Sequence, residues 1–300
     1  MSIQATLTGW LLRLTFKRET RGTINVDRAR AMVTKMAKRN PPVPKEVQHK
    51  PVAAQPHKGL CPAEWLQTEG AETTVVYFHG GGYFFCGLDT HRPVAAYLAK
   101  AGKLKVLSVD YRMAPEHVFP AAIDDALAWW THLLEQGLDP KKVVFGGDSA
   151  GGGLTLATLL AARDKGVPMP AGAFLFSPWA DLSCSGDTMK TMAKADVMFD
   201  PNALPQAAAL YLAGRSAQTP LASPVFADLS GLPPLMIHAS EHEVLLDDSR
   251  RVHANAQKTG VPSELHLKPK MPHVWPTMVL LPEARESLKD TVAFIRRVTQ

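Results

Sequence analysis

A serine in a glycine-rich turn is the residue with the clearest chemical potential in this chain. Ser149 stands in the run Gly147-Asp-Ser-Ala-Gly151, directly after the predicted strand Lys142–Phe145 and directly before a helical pattern. A tight turn from strand to helix needs small flanking residues, and it lifts the central hydroxyl off the backbone. The motif alone would also fit an ordinary glycine-rich turn, but this context predicts a serine nucleophile.

A second glycine cluster, His79-Gly-Gly-Gly82, follows another predicted strand, which ends at Phe78. Glycines let backbone N–H groups point at a ligand, and acyl transfer develops negative charge on a carbonyl oxygen. No Lys-Ser or Lys-Thr pair follows, as a phosphate-binding loop would require. The cluster therefore predicts an oxyanion hole, in which His79 orders the loop by hydrogen bonding and takes no part in the chemistry.

Four segments together resemble the hormone-sensitive lipase-like branch of the α/β-hydrolases, the bacterial family IV carboxylesterases. Tyr77–Tyr83 and Gly147–Gly152 are similar to the two signatures of that family, and Asp110–Ala121 is similar to its linking segment. A later stretch, Leu229–Pro234, adds a fourth match. The resemblance runs from about residue 77 to about residue 276. It implies an α/β-hydrolase fold with a mostly parallel central sheet, helices on both faces and a helical cap.

The resemblance also implies the surroundings of Ser149. The oxyanion donors that carry over are the backbone N–H groups of Gly81, Gly82 and Ala150. Three aromatic residues directly after the glycine cluster are expected to line the substrate pocket: Tyr83, Phe84 and Phe85.

The catalytic base should lie downstream, because chain order in this fold is nucleophile, acid and histidine. His273 fits, since it lies in a loop between the last predicted strand and the last predicted helix. From such a loop an imidazole can reach over the sheet to the serine. His266 lies within the preceding strand and is expected to be a packed or exposed strand residue.

Four carboxylates compete for the role of the acid after the strand Leu235–His238: Glu241, Glu243, Asp247 and Asp248. Family members usually carry Asp in a pattern similar to D-P-L-x-D, whereas this chain has Glu243-Val-Leu-Leu-Asp247. Glu is an accepted third member of such a triad. We therefore assign the role to Glu243, while Asp247 is expected to start the next helix, where an acid suits the helix dipole.

Other reactive side chains have simpler interpretations. Cys86 follows the glycine cluster but lacks a partner base, so we expect a small apolar residue near the pocket. His238 and His242 straddle a strand end and do not share a helix face, so they do not predict a metal site. We expect neither a metal nor an organic cofactor.

Charge is distributed unevenly along the chain. Residues 1–50 hold 11 of the 33 Lys and Arg and 3 of the 28 acids, a net charge of +8, while the remainder carries −3. We favour solvated faces of N-terminal helices over the alternative, contact with a membrane surface. No basic stripe interleaved with aromatics is present, which argues against a nucleic-acid partner.

Several features of the sequence concern the cellular compartment. Arg13 interrupts the first apolar stretch and no small-residue cleavage site follows, so a signal peptide is not predicted. No apolar run reaches the roughly 18 residues of a membrane-spanning helix. The three cysteines do not form a disulfide framework. These features predict a cytoplasmic protein.

The N-terminal sequence predicts two helices. Apolar residues recur at helical spacing in the first: Ile3, Leu7, Trp10, Leu11 and Leu14. We expect this face to cover the rest of the protein. A second helix should start near Asn25, a good N-cap, and end before Pro41.

Short β-branched runs alternate with helical patterns after about residue 45 and predict a mostly parallel sheet. The predicted strands are Thr73–Phe78, Leu104–Val109, Lys142–Phe145, Ala171–Phe176, Leu235–His238 and Glu264–Leu267. Between Asp181 and Ala222 there is no strand candidate, which indicates an inserted lid. We predict cap helices over 1–45, the first part of the core over 46–183, a cap insertion over 184–215 and the second part of the core over 216–300.

The resemblance implies a homodimeric serine carboxylesterase that hydrolyses short- to medium-chain esters through an acyl-enzyme. A lactone hydrolase would use the same residues, and the sequence does not separate the two. A ligand receptor on this fold is the non-enzymatic alternative. Such receptors lose the catalytic histidine, whereas this chain retains His273.

Overall fold

The computed structural model describes all 300 residues, and its centre is one eight-stranded β-sheet. The strands are β1 (Gln48–Val52), β2 (Ala63–Gln67), β3 (Thr74–Phe78), β4 (Lys105–Val109), β5 (Val143–Asp148), β6 (Gly172–Phe176), β7 (Leu235–Ser240) and β8 (Ser263–Lys268). They lie in the order β1-β2-β4-β3-β5-β6-β7-β8. β2 is antiparallel to both β1 and β4, and every other pair is parallel.

Ten α-helices accompany the sheet. They are α1 (Ile3–Leu14), α2 (Phe16–Glu19), α3 (Val26–Ala37), α4 (Leu88–Gly102), α5 (Ala121–Glu135), α6 (Ala150–Asp164), α7 (Thr188–Thr191), α8 (Ala203–Leu212), α9 (Leu246–Lys258) and α10 (Pro282–Val298). None of them combines the length and the apolar character needed to cross a bilayer.

The sheet is buried on both faces, which explains why its central strands read as continuous apolar runs. In β3, Val76 and Phe78 pack into one core with residues of α5 and α6, whereas Val75 and Tyr77 pack into a second core with residues of α4 and α10. Phe78 lies beside Gly147 in the sheet register. The carboxyl ends of β3 and β5 therefore meet at one edge, and both glycine clusters start from it.

The predicted fold class is confirmed, and all six predicted strands are present. β1 and β2 were missed. β1 carries Pro51 at the sheet edge and is largely exposed, so it lacks a strand pattern. β2 buries Glu64, which accepts hydrogen bonds from Arg92 at 2.9 Å and faces the His49 ring at 2.7 Å. A buried carboxylate paired only in the tertiary structure hides the strand from a hydrophobicity pattern.

The expected start of the second N-terminal helix is confirmed, because the Asn25 side chain accepts from the Arg28 N–H at 2.9 Å and caps α3.

The expectation for α1 is wrong. Its apolar stripe does not cover the protein but faces outward, with Ile3 77% and Trp10 64% exposed. The small side of the helix faces inward instead: Ala5 is buried, and an added Cβ at Gly9 would lie 3.9 Å from Val197. Close approach of the helix backbone is possible only through such small residues.

The N-terminal helices are hydrogen-bonded to the segment between β6 and β7. The Lys17 ammonium, which is buried, donates to the carbonyls of Ala193 at 2.6 Å and Asp196 at 2.7 Å. The Ile24 N–H donates to the Gln206 side chain on α8 at 3.0 Å. The two regions, far apart in sequence, therefore lie against one another.

Candidate active site

Ser149 occupies the turn between β5 and α6, and its backbone is strained. Its φ of 52° and ψ of −121° lie in a region that non-glycine residues rarely adopt. The turn is fixed from both sides, since the Ser149 N–H donates to the Phe176 carbonyl at 2.9 Å and its carbonyl accepts from Trp179 at 2.8 Å. A Cβ at Gly151 would lie 2.0 Å from the Phe78 carbonyl oxygen, so glycine is required there. The strained turn places the serine side chain beyond the sheet edge, where it lines a cavity.

His273 lies in the loop after β8 and meets Glu243, which lies between β7 and α9. The His273 Nδ1 and Glu243 Oε2 atoms are 2.6 Å apart, and both side chains are buried. The other carboxylate oxygen of Glu243 accepts from the Ser240 N–H at 2.9 Å. With the proton on Nδ1, the His273 Nε2 atom carries a lone pair, and it has no hydrogen-bond partner within the chain. His273 lines the same cavity as Ser149.

None of the three competing carboxylates forms a hydrogen bond with His273. Asp247, in the first turn of α9, accepts from the Thr188 N–H at 3.0 Å. Asp248 accepts from the N–H groups of Ala180 and Asp181, both at 2.8 Å. Burial, followed by the nearby Asp181 charge, raises the pKa of Asp248 well above its usual value. The Glu241 side chain makes no hydrogen bond. Of the four candidates, the structure brings only Glu243 to His273.

The glycine cluster after β3 forms a compact turn beside Ser149. Gly81 has a φ of 116°, and a Cβ there would lie 2.0 Å from the Phe85 carbonyl oxygen. The backbone N–H groups of Gly81, Gly82 and Ala150 have no acceptor within the chain. For Ala150 the reason is its position as the first residue of α6, where an N–H has no intrahelical partner and the helix dipole favours negative charge. These donors can stabilise an oxyanion beside Ser149.

Asp148 joins the serine turn to the glycine cluster, a role that the sequence did not reveal. Its buried carboxylate accepts from the Tyr77 hydroxyl at 2.7 Å and the Gly80 N–H at 3.1 Å, and it lies 3.1 Å from His91 Nε2. Burial disfavours both charges, but the opposite charge of each partner outweighs it. The pKa of Asp148 is lowered and the pKa of His91 is raised. The signal was the Asp inside the serine motif; its partner on α4 required the tertiary structure.

His79 is held in the loop as expected. Its Nδ1 atom lies 2.7 Å from the Gly80 carbonyl oxygen, and its ring stacks on Tyr111 with centroids 4.3 Å apart. Burial, reinforced by the nearby His91, lowers the pKa of His79 to about 4. A neutral imidazole therefore packs under the glycine cluster.

A cavity of about 560 Å³ opens onto these groups. Its floor includes Gly81, Ser149 and His273, and its walls come from the N-terminal helices, the segment before α8 and α8 itself. Apolar wall residues include Leu12, Phe16, Met32, Val33, Phe199 and Leu204. Such a lining suits an uncharged ligand.

Two of the three predicted pocket residues line the cavity and one does not. Phe84 and Phe85 line the cavity, but the prediction for Tyr83 is wrong. Tyr83 is 2% exposed and stacks on Tyr211 of α8, with ring centroids 3.9 Å apart. Its φ is positive, at 64°, and its ring belongs to the main hydrophobic core. Cys86 lines the cavity, and burial raises the pKa of its thiol, so it is not a thiolate nucleophile.

Comparison with known proteins decides the family. Residues 75–277 match the family described as having the alpha/beta hydrolase fold. The chain is 43% identical over 243 residues to an acetyl-hydrolase of Streptomyces hygroscopicus, covering 80% of this chain and 81% of the relative. A carboxylesterase, NlhH, of Mycobacterium tuberculosis is 39% identical over 236 residues, covering 74% of this chain and 73% of NlhH.

Solved structures of esterases superpose on this chain over its full length. The esterase EstE5, soaked with p-nitrophenyl butyrate, superposes with a TM-score of 0.92 at 39% identity, covering 100% of this chain and 99% of EstE5. An esterase from the bacterial hormone-sensitive lipase family gives a TM-score of 0.92 at 36% identity, with the same coverage. The chain belongs to the hormone-sensitive lipase-like carboxylesterases. As a member of this family it is a carboxylic ester hydrolase, and the resemblance read from its motifs is confirmed.

Proposed function

We propose that this carboxylesterase hydrolyses esters by acyl transfer to Ser149, with His273 as general base and Glu243 as the acid that orients it. The 2.6 Å contact between His273 Nδ1 and Glu243 carries the proposal. It fixes the tautomer in which Nε2 can accept a proton, at the floor of the cavity that Ser149 also lines.

In the first step the Ser149 Oγ atom attacks the ester carbonyl carbon and its proton passes to His273 Nε2. The carbonyl oxygen becomes an oxyanion, which the N–H groups of Gly81, Gly82 and Ala150 stabilise. The tetrahedral intermediate collapses, and the alcohol leaves with the proton from His273. A water then repeats the sequence on the acyl-enzyme and releases the carboxylic acid. Throughout, Glu243 stabilises the imidazolium that forms.

The substrate is an uncharged ester with a short to medium acyl chain. The cavity of about 560 Å³ supports an uncharged substrate, because apolar residues such as Phe85 and Leu204 line it, and the chain length is what the family resemblance implies. Gly82 and Phe84 lie close together, since an added Cβ at Gly82 would be 3.0 Å from the Phe84 ring. Phe84 therefore bounds the space beside the oxyanion donors.

Residues 1–45 and 184–215 form a cap over the core, which comprises residues 46–183 and 216–300. The hydrogen bonds from Lys17 and Ile24 to the inserted segment support one joint cap. Arg30 of α3 fastens it to the core, because its guanidinium donates to the carbonyls of Phe84 and Ala114, both at 2.9 Å, and to Glu116 at 2.7 Å. That ion pair lowers the pKa of Glu116 to about 2.

The enzyme works in the cytoplasm as a homodimer. Support for the dimer comes from β8, an edge strand whose outer backbone groups have no partner strand. Its Leu267 side chain is 36% exposed. Support for the compartment comes from the three cysteines, which are all free thiols.

Replacement of the nucleophile tests the proposal. Ser149→Ala is expected to reduce turnover of p-nitrophenyl butyrate by on the order of 10⁴-fold or more, with an unchanged unfolding midpoint. Turnover close to that of the wild type in a folded Ser149→Ala protein would refute the acyl-enzyme mechanism.

A further inference from the structure

The outer face of α1 is a large apolar surface that the fold leaves uncovered. Its five large residues recur at the spacing of one helix face and are 50% to 77% exposed: Ile3, Leu7, Trp10, Leu11 and Leu14. Together they expose on the order of several hundred Å², the size at which an apolar patch on a soluble protein marks an interaction site. We call these five residues the apolar stripe.

The stripe is presented by an anchored helix. The Ser2 hydroxyl donates to Glu283 at 2.9 Å, and Ala5 packs into a small core with Trp275. At the other end, Arg13 donates to the carbonyls of Lys194 and Ala195, both at 3.1 Å. Both ends of α1 are therefore fixed to the protein, and the exposure of the stripe belongs to the folded state.

The positive charge of the N-terminal segment indicates which kind of partner covers the stripe. The first 50 residues carry a net charge of +8, and several of their basic side chains are exposed without an acidic partner. These are Arg18, Arg21, Lys35, Lys38 and Arg39. A second copy of the same face would bring these like charges together, whereas an anionic lipid surface attracts them. An apolar stripe followed directly along the chain by unpaired basic residues, here Arg18 and Arg21, is typical of segments that lie in a membrane interface.

We propose that α1 docks the enzyme onto anionic phospholipid membranes, with the apolar stripe inserted at the headgroup boundary. The stripe is also next to the cavity, because Leu12 and Phe16, on the protein side of the same segment, line its wall. Docking thus brings the cavity close to the lipid surface, where apolar esters concentrate. The docking step does not depend on the catalytic assignments.

Vesicle co-sedimentation of the full chain tests the proposal. The wild type is expected to sediment with vesicles of phosphatidylglycerol and phosphatidylcholine, less so at high salt, and weakly with phosphatidylcholine alone. The double variant Leu7→Ser/Leu11→Ser should weaken binding at least about ten-fold, since two leucines no longer leave water. Phe226→Ser, which removes an exposed apolar residue outside α1, should bind as the wild type does. Hydrolysis of water-soluble p-nitrophenyl butyrate should be unchanged in both proteins.

A pair of charge variants isolates the electrostatic part. Arg21→Glu/Lys35→Glu reverses two exposed N-terminal charges, and Lys165→Glu/Lys258→Glu makes the same change of charge on the core. Only the first pair should lose vesicle binding. Equal binding by all variants, or equal binding to neutral and anionic vesicles, overturns the proposal. So does a wild-type dimer that Leu7→Ser/Leu11→Ser converts to monomer without altering vesicle binding, because the stripe would then be a contact between two copies.

Discussion

The catalytic side and the cap side of the cavity differ in whether their polar side chains have partners and their apolar side chains are buried. On the catalytic side, Asp148 and Glu243 are buried and fully paired, and the contacts that hold them are short. On the cap side, α1 keeps its large apolar residues in water, and basic residues of the segments that follow it are exposed without acidic partners. The first region is organised to hold fixed geometry. The second presents exposed apolar residues, which we propose insert into a membrane surface.

The same contrast explains what the sequence could predict. Ser149 and the glycine cluster were found because tight turns need particular small residues at fixed offsets, a local requirement that is visible in the chain. Glu243 followed from its offset to Asp247, and the structure brings it to His273. The direction of Tyr83 and of the α1 stripe could not be read in this way. Each depends on what surrounds the side chain in the folded protein, the core for Tyr83 and solvent for the stripe, and that is a tertiary property.

The first prediction concerns the catalytic side and removes the charge of Glu243. Glu243→Gln should lower turnover by roughly 10²- to 10⁴-fold with little change in KM, because a neutral amide no longer stabilises the imidazolium of His273. Steady-state kinetics with p-nitrophenyl butyrate measure the effect. Asp247→Asn is the matched control and should stay within a few-fold of the wild type. If Asp247→Asn silences the enzyme while Glu243→Gln remains active, the acid is Asp247.

The second prediction breaks the link between the serine turn and the glycine cluster. Asp148→Asn keeps the shape but removes the charge that faces His91, so near pH 5.5 it should cost about 3 kcal/mol of unfolding free energy. Turnover should fall as well, since the Gly80 N–H loses its anionic acceptor.

The pH dependence of this cost has a definite sign. The pKa of His91 is raised in the folded state, so the contribution of the pair is full below the ordinary His pKa of about 6.5 and is lost as pH rises through the raised value. The pKa of Asp148 is lowered, so the contribution is also lost as pH falls through that value. Urea unfolding across this range should show the cost of Asp148→Asn shrinking toward high pH. The control Asp164→Asn, an exposed partner of Arg163, should cost under about 1 kcal/mol at every pH. A cost for Asp148→Asn that does not vary with pH would contradict the charged pair.

The third prediction loosens the cap where it meets the catalytic side. Arg30→Met removes the hydrogen bonds to the Phe84 and Ala114 carbonyls but keeps the aliphatic stem. Because Phe84 lines the cavity, KM for p-nitrophenyl butyrate should rise about 3- to 10-fold while kcat changes little, as expected for part of the roughly 1.5–3 kcal/mol of a charged hydrogen bond. Lys100→Met, which breaks only the exposed pair with Glu46 away from the cavity, should leave KM unchanged. A fall in kcat alone would place Arg30 in the chemistry and not in the cap.

The smallest expected effect concerns the stripe itself. Removal of residues 1–14 should leave the core sheet folded, because α1 contributes only Ala5 to a buried cluster. It also opens the wall at Leu12, so the preference among acyl chains should shift toward longer esters. A series of p-nitrophenyl esters from acetate to palmitate measures the shift. An unchanged chain-length profile would show that α1 does not bound the substrate.

Covalent labelling is the most direct test of the central claim, that a buried His273–Glu243 pair activates Ser149. Phenylmethylsulfonyl fluoride should add one sulfonyl group per chain, and peptide mass spectrometry should find it on Ser149 alone. The Glu243→Gln protein should be labelled at the same residue but far more slowly. A modification on Cys86 or on another serine, or equal labelling rates in the two proteins, would contradict the account.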